Sequence, residues 1–362
     1  TATLKFCPLK AGKFSYTLRI IMSKSLLIQD LQVFQFESLA AKINGLYSIF
    51  NYIEKYKHET KKIYFISSTE LLFLRDKDVI LLLKKIHHKF LQIKISILSL
   101  GCTGFYASLL DFYFSKETSA IVCVIETPLS ELQHTLNSLG IGIDPGQDGL
   151  VSQEGIGLCR LNKQIDISSN QRCFWVRAVK IMGLPNTIDS TIVLIKKFVK
   201  YLSEISHKNI SEFVSFQIQS TWSEALIRGL NTLKEDLIDV NSWLPSIEQS
   251  YYHTHELKPL LELQKYQEKT NDRYLIISCL GAAGRIGVMQ VSLKKPINTI
   301  FTKSEKLVVK NFTLLSNQNK FDVLEQHVNN YRKINRENVR NFFYYMKKEY
   351  SDLDNFYFEW IL

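Results

Sequence analysis

Ser96-Ile-Leu-Ser-Leu-Gly-Cys-Thr-Gly-Phe-Tyr-Ala-Ser-Leu-Leu110 is the stretch on which the reading of this chain turns. The apolar run 93–100 reads as a buried strand, and 105–114 reads as a buried helix. Between them stand Gly101, Cys102, Thr103 and Gly104, a small-residue turn holding one nucleophile. A cysteine there sits at a helix N-terminus, where unpaired amides and the helix dipole favour a thiolate. Gly101 and Gly104 let a substrate come close to the backbone. The competing reading of the same position is a structural thiol, since cysteine is among the most buried residue types.

The pattern extends outward in both directions. Residues 63–66 form a short β-rich run followed by Ser67-Ser-Thr-Glu70. Residues 78–90 carry apolar side chains at helical spacing, with Lys84, Lys85, His87 and His88 on the outer side. A third strand follows at 119–125, so strands alternate with helices. That alternation predicts a layered α/β fold with a largely parallel sheet. Residues 137–157 are loop-rich, and a strand resumes at 155–161. A second series then begins, with a helix at 189–204, a strand at 211–216, a helix at 223–237 and a strand at 273–277. It leads into Gly281-Ala-Ala-Gly284 and an apolar element at 286–293. Both series run strand, Cys or Gly turn, apolar element, the signature of an internal duplication. The chain divides into 1–180, 181–297 and a tail, 298–362, whose charge-rich stretch 322–348 reads as a helix pair.

The 362 residues are 46% hydrophobic and 22% charged, with only 15 Gly, 7 Pro and 6 Cys, which excludes collagen-like, disordered and disulfide-scaffold classes. Cys7, Cys102, Cys123, Cys159, Cys173 and Cys279 form no CxxC pair, which argues for a reducing compartment and against zinc. The most apolar window, 96–115, is broken by Gly101, Gly104 and Asp111, so no membrane span is expected. These features read as a cytoplasmic protein. A formal charge of +10 favours acidic partners. The lysines are scattered and match no nucleic-acid module, so no nucleic acid is expected among them.

Gly101-Cys-Thr-Gly-Phe-Tyr-Ala107 resembles the nucleophile segment of the thiolase superfamily, most closely β-ketoacyl-ACP synthase III and its relatives. Residues 63–77 resemble the strand and loop that precede this segment. Ala120-Ile-Val-Cys-Val-Ile-Glu-Thr-Pro-Leu-Ser130 resembles the strand ending in the family's Glu-x-x-Ser turn. Residues 147–161 resemble the segment that usually carries Gly-Asp-Gly-Ala. Tyr274-Leu-Ile-Ile-Ser-Cys-Leu-Gly-Ala-Ala-Gly-Arg-Ile-Gly-Val288 resembles the last Gly-rich turn and final strand. The resemblance implies two duplicated halves stacked in five α-β-α-β-α layers. It also implies acyl transfer or condensation through an acyl-cysteine on Cys102, with no cofactor and no metal. The backbone of Cys102 and of Gly281, Ala282 and Gly284 would form the oxyanion hole.

The family's later His and Asn positions read differently here. The strand that precedes the family's His reads Glu212-Phe-Val-Ser-Phe-Gln217 and is followed by no histidine, and His253 in Tyr251-Tyr-His-Thr-His255 stands where the Asn would. A Cys–His pair can still accept the thiol proton. An HxH pair on one strand would place His253 and His255 on opposite faces. Glu70 lies upstream of Cys102 at a distance similar to that of the general base of HMG-CoA synthase, a sister family. Acyl carrier protein or acyl-CoA is the implied partner, with Lys84, Lys85 and Lys89 as a basic rim at the tunnel mouth. The resemblance further implies a homodimer, or a heterodimer with a related ketosynthase, joined through the strand at 93–100. Without the usual His and Asn, the alternative is a chain-length-factor-like partner subunit.

Overall fold

The computed structural model describes residues 25–36, 38–67, 76–99, 102–127, 151–152, 154–163, 173–183, 198, 200–201, 204–205, 212–217, 242–243, 252–253, 255–267, 274–281, 285–296, 299–301, 308–313 and 356–361. The first half contains β1 (Leu26–Gln35), α1 (Leu39–Tyr56), β2 (Lys62–Ser67), α2 (Lys77–Lys89) and β3 (Lys94–Ser99). It continues with α3 (Gly104–Phe114), β4 (Ser119–Glu126), β5 (Val151–Ser152) and β6 (Gly155–Asn162). The second half contains β7 (Phe174–Gly183), β8 (Glu212–Gln217), β9 (Ser242–Trp243) and β10 (Tyr252–His253). A 3-10 turn (His255–Leu257), α4 (Lys258–Gln267), β11 (Tyr274–Gly281) and β12 (Arg285–Ser292) complete it. The tail supplies β13 (Val308–Thr313) and β14 (Phe356–Ile361).

The strand order is symmetric about one central pair. The large sheet runs β13-β14-β3-β2-β4-β6-β1-β7-β12-β11-β8-β9. Its seam is the antiparallel pair β1–β7, with Leu26 opposite Val176 and Ile28 opposite Phe174. Outward from that seam, β6, β4, β2 and β3 make one wing, the first sheet, and β12, β11, β8 and β9 the other, the second sheet. On each side the first two steps are antiparallel and the next two parallel.

Strand alternation distributes side chains to two cores. Tyr64 and Ile66 of β2, and Val122 and Val124 of β4, face a central core with α3, α4, β1, β7, β11 and β12. Ile63, Phe65, Ile121 and Cys123 face an outer core with α1 and α2. Strands buried on both faces read as continuous apolar runs, as β4 does. Helix α3 is buried at every residue from Gly104 to Leu110, matching a helix apolar all round. The outer helices instead bury one stripe and begin on capping side chains: Ser38 accepts from Ala41 N, and Asp76 from Asp78 N. Beyond the second sheet, Phe198, Tyr201 and Ile205 are helical and buried, and Arg177 of β7 donates to the Ile205 carbonyl.

Two expectations change here. The outer edge of β3, expected to meet a second subunit, is hydrogen-bonded antiparallel to β14, with Glu359 opposite Leu98 and Ile361 opposite Ser96. The described part of the tail is therefore strand, β14 pairing in parallel with β13. The tail helices expected at 322–348 lie outside the described residues.

Helix α3 meets the second sheet at Gly287 of β12. A Cβ there would lie 2.3–2.7 Å from Cδ2, Cγ and Cε2 of the buried Tyr106 ring. The near side of a packed ring cannot swing aside, so Gly287→Ala should destabilise the protein by about 1–3 kcal/mol, the usual cost of overpacking. Denaturant melts of the two proteins check this.

Candidate active site

Cys102 stands two residues before α3 and is 3% exposed. Thr103, at the helix N-cap, makes no capping bond through its side chain. The first amides of a buried helix cannot be left without acceptors. Glu256 supplies them: Gly104 N donates to its Oε1 and Phe105 N to its Oε2, the latter at 3.0 Å. Glu256 belongs to the 3-10 turn of the other half and stands two residues before α4, as Cys102 stands two residues before α3. Its own N–H donates to Oε1 of Glu126, the last residue of β4, at 3.2 Å. Both carboxyls are fully buried. Glycine is required at 104, because a Cβ would lie 2.8 Å from Glu256 Oε1 and 2.7 Å from Ile66 Cγ2.

Burial pushes the Glu256 carboxyl well above the ordinary glutamate range, and the neighbouring Glu126 pushes it further. The Phe105 and Gly104 amides pull the other way without winning. Tyr106, in the first turn of α3, is raised by burial and then by Cys279, Glu256 and Cys102, so these four groups share one electrostatic neighbourhood. Its hydroxyl lies 3.5 Å from the Ile277 carbonyl, which sets β11 against the start of α3. Burial also drives the thiols of Cys123 and Cys159 far up, leaving them inert.

The other expected residues divide. The backbone of His253 pairs with Ser152 in the short parallel pair β10–β5, two residues before the turn carrying Glu256. His255 opens that 3-10 turn instead of continuing the strand, so the opposite-face reading of the HxH pair does not hold. Gly281 closes β11 opposite Arg285. Glu70, Ala282 and Gly284 lie outside the described residues.

Lys84, Lys85 and Lys89 line a surface groove with Phe50, Leu81 and His88. That groove is on α1 and α2, which pack on the outer core, whereas Cys102 belongs to the central core across the first sheet. These lysines do not rim the site. Among the described residues no cluster of three metal-ligating side chains occurs, and no helix is long and apolar enough to cross a membrane.

Sequence reasoning passed over Glu256 and the buried ion pair of Lys258 with Glu262, 3.1 Å apart one turn along α4, and met Glu126 only as part of a family turn. His255-Glu-Leu-Lys-Pro259 reads as a polar loop. The one available signal was positional: Glu256 precedes its helix as Cys102 precedes α3.

No protein-family model matches the chain, and no curated protein matches it. Solved structures do. ChlB3, described as an acyltransferase, superposes with a TM-score of 0.53 at 11% identity over 75% of this chain and 98% of that one. The ketosynthase from module 6 of the bacillaene synthase of Bacillus subtilis 168 gives 0.50 at 14% identity, over 66% of this chain and 55% of that one. The corresponding module 1 ketosynthase from Bacillus amyloliquefaciens FZB42 gives 0.50 at 12%, over 68% and 57%. The chain has the thiolase fold. Within that fold the nucleophile helix expected from the sequence is α3, and Cys102 stands immediately ahead of it.

A carboxyl whose folded pKa is raised binds more protons in the native than in the unfolded state. Stability therefore falls as pH rises from the ordinary glutamate range toward the raised value. Glu256→Gln removes this titration while keeping an acceptor at the helix start, so its melting temperature should vary less with pH from 4 upward than that of the wild type. Parallel thermal melts across pH read this directly.

Proposed function

We propose that the protein is a ketosynthase-like acyltransferase that carries its acyl group as a thioester on Cys102. The observation carrying this reading is one buried cysteine at the start of a buried helix, where the two halves of a thiolase fold meet. A helix N-terminus stabilises negative charge on sulfur. The attacking sulfur expels the thiol of an acyl carrier protein or of CoA, and the oxyanion formed meets backbone amides. Those of Cys102 and of Gly281, Ala282 and Gly284 are the ones proposed, and two such donors are worth several kcal/mol. His253 is proposed to take the place of the family's Asn beside the thioester, and Glu70 to serve as base in any condensation step. The pathway is fatty acid, polyketide or related secondary-metabolite biosynthesis, in the cytoplasm.

The second reading is a chain-length-factor-like subunit in a heterodimer with an active ketosynthase. The sequence Glu212-Phe-Val-Ser-Phe-Gln217 and its sequel, without the histidine, favour it. A homodimer or heterodimer built through β3 requires β14 to leave that edge.

Incubation with acyl-CoA or acyl-carrier protein followed by intact-mass measurement separates the readings. Wild type should gain one acyl mass, Cys102→Ala none, and His253→Ala should load slower by roughly 10²–10⁴-fold, the usual range for a positioned acid or base. Loading that persists in Cys102→Ala ends the assignment. A wild type that never loads but copurifies with a ketosynthase establishes the second reading.

The lysine groove makes a separate prediction. With the first sheet between it and Cys102, its charges act only through solvent, where screening sets in over about 8 Å at physiological salt. The double variant Lys84→Glu, Lys85→Glu should load acyl groups from CoA at the wild-type rate in stopped time courses.

A further inference from the structure

A helix N-terminus holds one anion well, and here two ionisable groups occupy the same one. Cys102 precedes α3 by two residues, and both oxygens of Glu256 take its first two amides. Glu126 of β4 faces Glu256 directly, and Tyr106 of α3 is the group that Glu256, Cys102 just ahead of the helix, and Cys279 of β11 all influence. On its own segment, Lys258 is two residues on and ion-paired to Glu262. All of these are buried, so solvent does not screen one charge from the next.

We propose that Glu256 sets the charge state of Cys102: the two share a single negative charge at the N-terminus of α3. When Glu256 is a carboxylate, it satisfies the helix dipole and Cys102 stays a thiol. The thiolate forms when a proton leaves Sγ and a proton arrives on the Glu256 carboxyl, so the charge moves and its sum is unchanged. Two groups that share one charge titrate as a pair, and the second ionisation is deferred to higher pH. Glu256 is thus a positioning residue that acts through the helix terminus, and its elevated pKa makes it a ready acceptor for that proton. Glu126 tunes the exchange, because its charge disfavours the carboxylate of Glu256. The inference rests on the nucleophile role of Cys102 proposed above and names what regulates it.

The test is the pH profile of Cys102 alkylation by iodoacetamide, with the modified peptide identified by mass spectrometry. No acyl substrate enters, so failure here and failure of acyl loading are separate results. In Glu256→Gln a neutral acceptor remains and the competing charge is gone. The midpoint for Cys102 should move to lower pH by about one unit, a tenfold gain in thiolate below it. Glu126→Gln should shift it the opposite way, since Glu256 then ionises more readily. If Glu256→Gln does not fold, the Glu126→Gln shift decides. An unchanged midpoint in both variants, or an alkaline shift in Glu256→Gln, overturns the proposal, even if wild type loads acyl groups.

Discussion

A helix buried on all sides must end somewhere, and its first amides must find acceptors without water. Helix α3 meets this constraint with a carboxylate from the other half of the chain, 152 residues away from Gly104. Buried amides and a buried carboxyl each lose more by standing alone than by pairing, so the contact is costly to break. The same contact therefore joins the two halves, orients the turn that follows His253, and places a second acid near Cys102. Remove the carboxyl, and the start of α3 loses its tie to the segment leading into α4, while the Glu256 N–H keeps its bond to Glu126.

The symmetric strand order shows how such a partner comes within reach. Each half turns into its central helix by way of a short irregular stretch, and the two stretches meet because α3 and α4 share one core. One stretch ends in Cys102 and the other in Glu256, at equal distance from their helices. Helix α4 differs from α3 in being charged inside: Lys258 and Glu262 are both fully buried. A buried pair of this kind adds little net stability, but losing either partner strands the other, so it restricts how α4 can pack. Specific polar contacts in the centre and apolar contacts outside divide the work of holding the halves in register.

The fold was legible because the residues that build it repeat. Strands buried on both faces show as apolar runs, and α3 shows as an apolar helix behind Gly101 and Gly104, so the α/β class and the place of Cys102 ahead of that helix were readable in the pattern. The site was only partly legible. Glu256 sits among histidine, lysine and proline, a composition that means solvent almost everywhere, and nothing local says that the second half buries it. The lysines of α2 failed for the converse reason. Their helical spacing gave the correct exposed face, but spacing on one helix does not tell on which side of the sheet that helix packs.

The tail shows the same limit at the edge of the sheet. Residues 93–100 read as a strand buried on both faces, and β3 is one. What covers its open edge is not written in that strand. An unpaired edge is a template for any extended chain, and a protein must satisfy or block it. Pairing with β14 satisfies it from within: the hydrogen bonds that an intersubunit strand would make are made by residues 359–361 of the same chain. The outward edge passes to β13, one step further from the nucleophile. A fold that elsewhere in the superfamily is expected to close this edge across a two-fold here closes it in cis. An association through β3 would have to break the main-chain bonds to β14 before making its own, so β14 competes with any partner for that edge.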